Sequence, residues 1–355
     1  MIAWLSAYGL FLAKALTVVA AVLVVMASAV AASQRMRSRE GGAIEVSKLN
    51  DRYDAMRDAL RRASLDPKQY RSVAKQERKL AQRERKFKRS RVKESAGDAG
   101  GVAKVFVLDF DGDIRANAVD ALREEVSAVL TLAKPEDSVL LRLESPGGMV
   151  HGYGLAAAQL ARLRDRGLRL VVCVDKVAAS GGYMMACMAS ELVAAPFAML
   201  GSIGVLAQIP NLHRLLQRHD IDYEVLTAGQ YKRTLTVLGR NTEEGRRKFN
   251  EELEDIHTLF KEHVSAWRPA LDMATVATGE TWFGTRALGL GLADRLGTSD
   301  QWLQEAADAG QMLLEVSYCE RKPISERLGA VLEAAVSRGV QRALERLESP
   351  GEWLR

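Results

Sequence analysis

This chain of 355 residues has few cysteines, few prolines and a small net charge. Its three cysteines, Cys173, Cys187 and Cys319, are too few and too scattered for a disulfide framework, and none has metal-ligand spacing. This excludes zinc and redox sites built on cysteine. Only 8 prolines, with 48% hydrophobic and 27% charged residues, exclude a largely disordered chain. The formal net charge of +5 is small for a nucleic-acid-binding protein, so the position of the charges matters more than their sum.

Long charge-free runs are also few, and one of them lies near the N-terminus. Residues 15–32 contain no charged side chain and are long enough to span a membrane. Small residues at 27–31 would suit a cleaved signal peptide, but no basic cluster precedes them and the apolar stretch is too long for one. We therefore predict an uncleaved transmembrane anchor over 1–34. The basic residues that follow it favour a cytoplasmic main domain.

A basic helical arm and linker are predicted over 35–101. The arm has apolar side chains at helical spacing, namely Leu49, Tyr53, Met56 and Leu60. Its most basic run, 75–93, contains one aromatic residue and no recognised nucleic-acid module. This run predicts a solvated helix or an arm lying along anionic lipid headgroups, with nucleic-acid binding as the less favoured alternative. Glycines and small residues over 95–101 end the arm.

Strand and helix patterns alternate from Lys104 onward. Apolar, β-branched runs predict strands over 104–110, 138–144 and 168–175, and helical periodicity lies between them over 118–132 and 154–166. This order predicts parallel βαβ units and hence an α/β fold. A further strand is predicted over 223–227 and a charged helix over 242–267. Sites in such sheets form at the carboxyl ends of the strands.

Two glycine pairs follow the predicted strands. The second strand runs into Gly147-Gly148, and the third into Ser180-Gly181-Gly182. Glycine turns expose backbone N–H groups, and a serine at a strand-to-helix turn can be a nucleophile beside an oxyanion hole. Ala178 excludes the Gly-x-Ser-x-Gly elbow of the α/β-hydrolases, and no phosphate-loop or dinucleotide fingerprint is present. An ordinary turn and helix cap remains the alternative.

A serine nucleophile needs a base, and the sequence offers two kinds. His151 lies close to the first glycine pair, but no carboxylate with a clear orienting role accompanies it. Lys232 follows the predicted strand 223–227. A lysine against apolar walls can lose its proton near neutral pH, because desolvation disfavours the ammonium. A solvated surface lysine is the alternative, so the residue types alone leave the base open.

Four segments in fixed order carry a resemblance to a known family. They are ESPGGMVHGYGLA, VDKVAASGGYMMAC, APFAMLGSIGV and TAGQYKRTLT, with 52 residues from Ser180 to Lys232. The chain from about Lys104 to Asp300 resembles the signal peptide peptidase A family of membrane serine proteases. It is most similar to the SohB-type inner-membrane branch, which shares the order of anchor, basic arm and catalytic domain.

The resemblance implies a serine endopeptidase that needs no metal or other cofactor. It implies that Ser180 is the nucleophile, that Lys232 is the general base and that Gly148 and Gly181 supply the oxyanion N–H groups. Ser202 would orient the lysine. The implied fold is the crotonase-like ββα spiral of Clp-type proteases, in a peptidase domain over 102–306. A catalytically inactive membrane scaffold and a crotonase-type acyl-CoA enzyme are the alternatives.

The resemblance also bears on the second charge-free run, 192–209. Pro196, Gly201 and Gly204 would weaken a lipid-facing helix, and the family match places Ser202 in the site. We therefore predict a buried strand and turn here rather than a second membrane span.

Assembly and location complete the predictions. An amphipathic helical tail is expected over 307–355, with an apolar stripe from Leu328 to Leu347 that needs a partner surface. The family implies a homo-oligomer in which one subunit's serine meets a neighbour's lysine, acting on peptides or unfolded protein segments. It also implies a single-pass protein of a bacterial-type inner membrane. Flanking charge favours a cytoplasmic catalytic domain, whereas the better-known family members work outside the cytoplasmic membrane.

Overall fold

The structure is a computed structural model that describes residues 42–66, 68–72, 75–76, 79 and 102–320. The chain divides into one compact unit over 44–317 and another made of 1–43 with 318–355. The predicted anchor, most of the basic arm and the predicted apolar stripe of the tail lie outside the described residues. Among the described helices, none is both long and apolar enough to cross a membrane.

Ten strands are described. They are β1 (Ala43–Lys48), β2 (Lys104–Asp111), β3 (Ser138–Glu144), β4 (Arg169–Val174), β5 (Val177–Ala179), β6 (Glu191–Ala194), β7 (Met199–Gly201), β8 (Thr281–Phe283), β9 (Arg295–Leu296) and β10 (Met312–Cys319).

Nine helices with described bounds connect or flank these strands. They are α1 (Leu49–Ser64), α2 (Val119–Leu132), α3 (Val150–Asp165), α4 (Gly181–Ala186), α5 (His213–Arg218), α6 (Glu243–Trp267), α7 (Met273–Val276), α8 (Gly284–Gly289) and α9 (Ser299–Asp308).

The strands form two sheets. The larger has seven strands in the order β1-β10-β2-β3-β4-β6-β9, and its pairs from β10 to β9 are parallel. The smaller has the order β5-β7-β8, with β5 and β7 parallel and β8 antiparallel to β7. A parallel bridge from Ser145 to Ala178 links the end of β3 to β5. The predicted α/β class and parallel βαβ units are therefore confirmed.

Side chains alternate between two cores on opposite faces of the larger sheet. In β2, Phe106 and Leu108 pack into the main core, while Val105 and Val107 pack into a smaller one. This follows from the two-residue period of a strand, and both faces are buried as expected for a parallel sheet. Helices α2, α3 and α4 contribute to the main core, whereas α1 and α9 contribute to the smaller one.

Local sequence sets several helix ends. Helix α6 begins after Thr242, whose hydroxyl accepts a hydrogen bond from the Gly245 N–H at 3.1 Å. Such a cap satisfies one of the free N–H groups of a first helical turn. Helix α3 begins at Val150, four residues before its predicted start.

The predicted strand over 223–227 is wrong. The backbone there is irregular, and its apolar side chains are exposed, with Leu226 91% accessible. Alternating apolar residues form a strand only where a neighbouring strand accepts their hydrogen bonds, and none does so here in the described chain. Residues 312–319 also form a strand beside β2, although the predicted boundary at 306 assigns them to the helical tail.

The charge-free run 192–209 forms β6, a turn and β7, and its backbone is then irregular. Leu192 and Leu200 are fully buried, as the predicted buried strand and turn requires. The prediction is confirmed for this part, whereas Leu206, farther along the run, is exposed.

Candidate active site

Ser180 occupies the turn between β5 and α4. It follows directly on β5, the strand of the smaller sheet that the bridge from Ser145 to Ala178 joins to the end of β3. Its backbone has φ 52° and ψ −119°, which a non-glycine residue rarely adopts and which costs about 1–3 kcal/mol. A hydrogen bond from the Ser180 N–H to the Gly201 carbonyl, 2.8 Å long, helps to hold this conformation. The side chain is half-buried, and its hydroxyl has no hydrogen-bond partner among the described residues. The turn therefore presents a free hydroxyl from a strained backbone.

The loop after β3 lies directly against this turn. Gly147 has φ 94°, and a Cβ placed on it would lie 2.6 Å from the Cβ of Ser180 and 2.9 Å from the Gly181 nitrogen. Only a residue without a side chain permits this approach. A Cβ on Gly148 would overlap the carbonyl of Ile114, whose oxygen accepts the Met149 N–H at 2.8 Å. The predicted glycine turn is thus packed between the turn at Ser180 and a loop over 112–117.

Two backbone N–H groups at this junction are available to a ligand. Neither the Gly148 nor the Gly181 N–H has an acceptor within the described part of the chain. The Gly147 N–H, in contrast, is used internally and donates to the Ser145 hydroxyl oxygen at 3.1 Å. Free N–H groups beside a free hydroxyl are what stabilisation of a tetrahedral oxyanion requires. The junction can therefore support attack by Ser180 on a carbonyl carbon.

Ser202 lies just past β7, next to the residue that bonds Ser180. It also has a positive φ, 51°, and its N–H donates to the Glu280 carbonyl at 2.6 Å. Its half-buried hydroxyl has no partner among residues 42–66 and 102–320. The structure thus brings Ser202 to the same end of the smaller sheet as Ser180.

Neither candidate base, Lys232 or His151, forms a hydrogen bond with Ser180 in the described chain. Lys232 lies in the irregular segment between α5 and α6, where its backbone N–H donates to the Gly229 carbonyl at 3.2 Å. Its side chain is exposed, and its ammonium has no hydrogen-bond or ion-pair partner among the described residues. His151 is likewise exposed and unpaired in the first turn of α3.

Two other histidines bind the backbone near the site. His257 and His263 of α6 pair through Nε2 with the carbonyls of Ile203, at 3.2 Å, and Met184, at 2.9 Å. They anchor α6 against the segments that follow Ser202 and Ser180. The described residues contain no cluster of three or more side chains suited to hold a metal ion.

Sequence reasoning missed the buried support of the glycine loop. Tyr153 of α3 is fully buried, and its hydroxyl oxygen lies 2.5 Å from the Ser145 hydroxyl and 2.8 Å from the Asp113 carbonyl oxygen. Ser145 and Tyr153 lie eight positions apart, with a turn and the start of a helix between them. The bond to Asp113 crosses 40 positions. No local pattern encodes such contacts, although Ser145 is part of the motif that carried the resemblance.

Two protein-family models together match almost all of the chain between residues 3 and 313. Peptidase family S49 N-terminal matches residues 3–160, and Peptidase family S49 matches residues 162–313. The chain belongs to peptidase family S49. This confirms the predicted resemblance and makes the chain a peptidase by family.

Named relatives agree with this assignment. The chain is 48% identical over 340 residues to the probable protease SohB of Haemophilus influenzae, covering 95% of this chain and 96% of the relative. It is 57% identical over 227 residues to the probable protease SohB of Buchnera aphidicola subsp. Acyrthosiphon pisum, covering 64% of this chain and 67% of the relative. Among solved structures, a mutant of the 1510-N membrane-bound stomatin-specific protease aligns with TM-score 0.37 and 12% identity, over 58% of this chain and 86% of that one.

Proposed function

We propose that this S49 peptidase is a membrane-anchored serine endopeptidase that cleaves peptides or unfolded protein segments through an acyl-enzyme, without a metal or other cofactor. The observation that carries the proposal is the junction at Ser180. A strained serine presents a free, half-buried hydroxyl beside the unpaired N–H groups of Gly148 and Gly181.

The proposed reaction begins with attack of the Ser180 Oγ on the scissile carbonyl carbon. Lys232 Nζ takes the hydroxyl proton, and the carbonyl oxygen becomes an oxyanion that accepts hydrogen bonds from the Gly148 and Gly181 N–H groups. The C–N bond then breaks as Lys232 returns the proton to the leaving amine. Water attacks the resulting ester by the same route and releases Ser180. The hydroxyl of Ser202 would orient the Lys232 amine.

Lys232 is exposed in this chain, whereas a lysine that acts as a general base needs a drier environment, which favours the neutral amine. A second subunit would supply one. We propose a homo-oligomer in which Lys232 of one subunit meets Ser180 of its neighbour, around a chamber that admits extended chains. The exposed apolar side chains flanking Lys232, among them Leu226 and Tyr231, suit burial at such a boundary.

The remaining parts of the proposal concern architecture and place. A crotonase-like ββα spiral would form the peptidase domain, predicted over 102–306 and extended by the strand β10 that pairs with β2. The anchor over 1–34 would span a bacterial inner membrane once, and the basic arm over 35–101 would contact anionic lipid. Protease accessibility of the catalytic domain in oriented vesicles would determine on which side it lies.

The first test is proteolysis of an unfolded substrate by the full chain in detergent. Ser180→Ala and Lys232→Ala should each abolish cleavage, while the surface controls Ser127→Ala and Lys134→Ala should retain it. His151→Ala should also retain most activity. Equal cleavage by all variants would refute the Ser-Lys assignment, and loss in His151→Ala as complete as in Lys232→Ala would make the histidine the base.

A second test addresses the subunit boundary. Inactive Ser180→Ala and inactive Lys232→Ala chains, mixed in one oligomer, should recover part of the activity, because some boundaries then carry an intact serine and an intact lysine. No recovery from oligomers shown to be mixed would place both residues within one subunit.

A further inference from the structure

Tyr153 contacts the Gly181 backbone directly and reaches the Gly147-Gly148 segment through Ser145. Its ring packs against the backbone of Gly181, where any Cβ would overlap the ring carbons. Its hydroxyl, at the other end of the same side chain, lies 2.5 Å from the Ser145 hydroxyl, which accepts the Gly147 N–H. One rigid, fully buried side chain therefore spans the distance from one glycine segment to the other.

The protons in this group of contacts have only one consistent arrangement. A carbonyl oxygen can only accept, so the Tyr153 hydroxyl donates its single proton to the Asp113 carbonyl, 2.8 Å away. The Ser145 hydroxyl must then donate to the Tyr153 oxygen. Its own oxygen is left to accept from the Gly147 N–H. Every donor and acceptor in this series of hydrogen bonds, from the Gly147 N–H to the Asp113 carbonyl, is thereby assigned. The series joins the Gly147-Gly148 loop to the loop over 112–117.

The surroundings leave these groups little freedom to move. A Cβ on Gly112 would lie 2.6 Å from both the Ser145 and the Tyr153 hydroxyl oxygens. The ring of Phe110 contacts Tyr153 edge-on, with centroids 6.3 Å apart. Burial, the largest influence, raises the pKa of Tyr153, so the phenol stays neutral and keeps the proton that it donates.

We propose that Tyr153 is a positioning residue for the peptidase reaction: its ring and its hydroxyl together hold the Gly181 and Gly147-Gly148 segments at the spacing that an oxyanion requires. Tyr153 acts through the glycine backbones and touches no substrate. The inference rests on the proposed function. Oxyanion donors work because they are fixed in place before charge develops. A looser support therefore reduces the stabilisation of the transition state more than it reduces substrate binding.

The chain offers a matched control for removal of the hydroxyl. Tyr183 is also fully buried, and its hydroxyl donates to the Leu292 carbonyl at 3.1 Å, away from the glycine loop. Tyr153→Phe and Tyr183→Phe thus delete the same atom from equally buried sites. Ser145→Ala breaks the same network from its other side, and it serves as the test if Tyr153→Phe does not fold.

The experiment uses the full chain in detergent with a peptide substrate and measures kcat, KM and Tm. It also measures inhibition by a peptidyl boronate, which forms a tetrahedral adduct with the nucleophile. Tyr153→Phe and Ser145→Ala should each lower kcat by about tenfold with KM unchanged, and should weaken the boronate by a similar factor. The kcat of the double variant, with both Tyr153→Phe and Ser145→Ala, should be no lower than that of the less active single variant, because each single change already breaks the same hydrogen-bond network. Tyr183→Phe should lose a comparable amount of Tm and keep its kcat.

The inference is overturned if Tyr153→Phe and Ser145→Ala keep the wild-type kcat while Ser180→Ala is inactive. It is also overturned if kcat falls in proportion to the loss of Tm in Tyr153→Phe, Ser145→Ala and the control Tyr183→Phe alike. The role of Tyr153 would then be structural only. Full cleavage by Ser180→Ala would be a different result, because it would refute the proposed function itself and the inference with it.

Discussion

Replacement of Gly147 by alanine should damage the site and the fold together. Gly147 has φ 94° and lies in the loop after β3, directly against the turn at Ser180. The added methyl group would lie 2.6 Å from the Ser180 Cβ and 2.8 Å from the Ala179 carbonyl oxygen. The carbonyl belongs to the backbone, so no side-chain rotation can relieve the overlap with it.

The cost has two parts. A left-handed backbone costs a non-glycine residue about 1–2 kcal/mol. Overpacking of a tight site costs a further 1–3 kcal/mol, roughly. The free energy of unfolding should therefore fall by about 2–5 kcal/mol, which lowers Tm by roughly 4–20 °C for a domain of this size class. Displacement of Ser180 should reduce cleavage well beyond this loss of stability.

Two other glycines separate these contributions. Gly167 has φ 76° with no atom within 4 Å of an added Cβ, so Gly167→Ala tests the backbone cost alone and should lose about 1–2 kcal/mol. Gly154 lies within α3 without a positive φ and also has open space around it. Gly154→Ala should therefore be neutral or gain up to about 1 kcal/mol from helix propensity.

The assay is thermal unfolding of the full chain in detergent, followed by circular dichroism, with peptide cleavage measured on the same samples. We expect Tm to fall in the order Gly154→Ala, wild type, Gly167→Ala, Gly147→Ala, with cleavage lost only in the last. A Gly147→Ala protein with the Tm and cleavage rate of Gly167→Ala would refute the reasoning, because the contact with Ser180 would then have no consequence.

Three further predictions concern other parts of the chain. Burial raises the pKa of Cys173 and Cys187 to about 12, so a maleimide at neutral pH should label only the exposed Cys319 before unfolding and all three thiols after it, as counted by mass spectrometry. Thr242→Ala removes the hydroxyl that caps α6 and should lower the free energy of unfolding by about 1 kcal/mol, whereas Thr242→Ser should restore it. Hydrogen bonds from neighbouring N–H groups lower the pKa of Asp113 below 3.8, so its stabilising effect should be complete above that pH and lost as pH falls through the lowered value. Asp113→Asn should remove that part of the acid-side dependence of Tm on pH, and an unchanged profile would contradict the assignment.

Local periodicity was enough to predict the α/β alternation. The strand over 138–144 and the helix ending at residue 132 agree with the structure, because each depends on which side chains face a core. The turn at Ser180 was also indicated by the sequence, since a serine followed by two glycines after a buried strand favours a strand-to-helix turn, although the residue types alone left an ordinary helix cap as the alternative. The roles of Ser180 and Lys232 came from the resemblance rather than from the residue types.

The wrong strand prediction has a physical cause. Residues 223–227 have the composition of a strand, but a strand also needs a partner edge, which no local pattern supplies. The role proposed for the exposed Lys232 has a similar dependence, because the burial of a lysine base would have to come from a surface outside its own segment.

The sequence by itself determined the alternation of strands and helices over 104–175 and the serine followed by two glycines at the end of β5. Only the tertiary structure decided that Ser180 takes a positive φ, that Gly147 lies against it, and that Tyr153 supports the loop from α3. Short-range preferences act over one or two turns of chain, whereas the bond from Tyr153 to Asp113 spans 40 positions and exists only after the sheet and helices have packed.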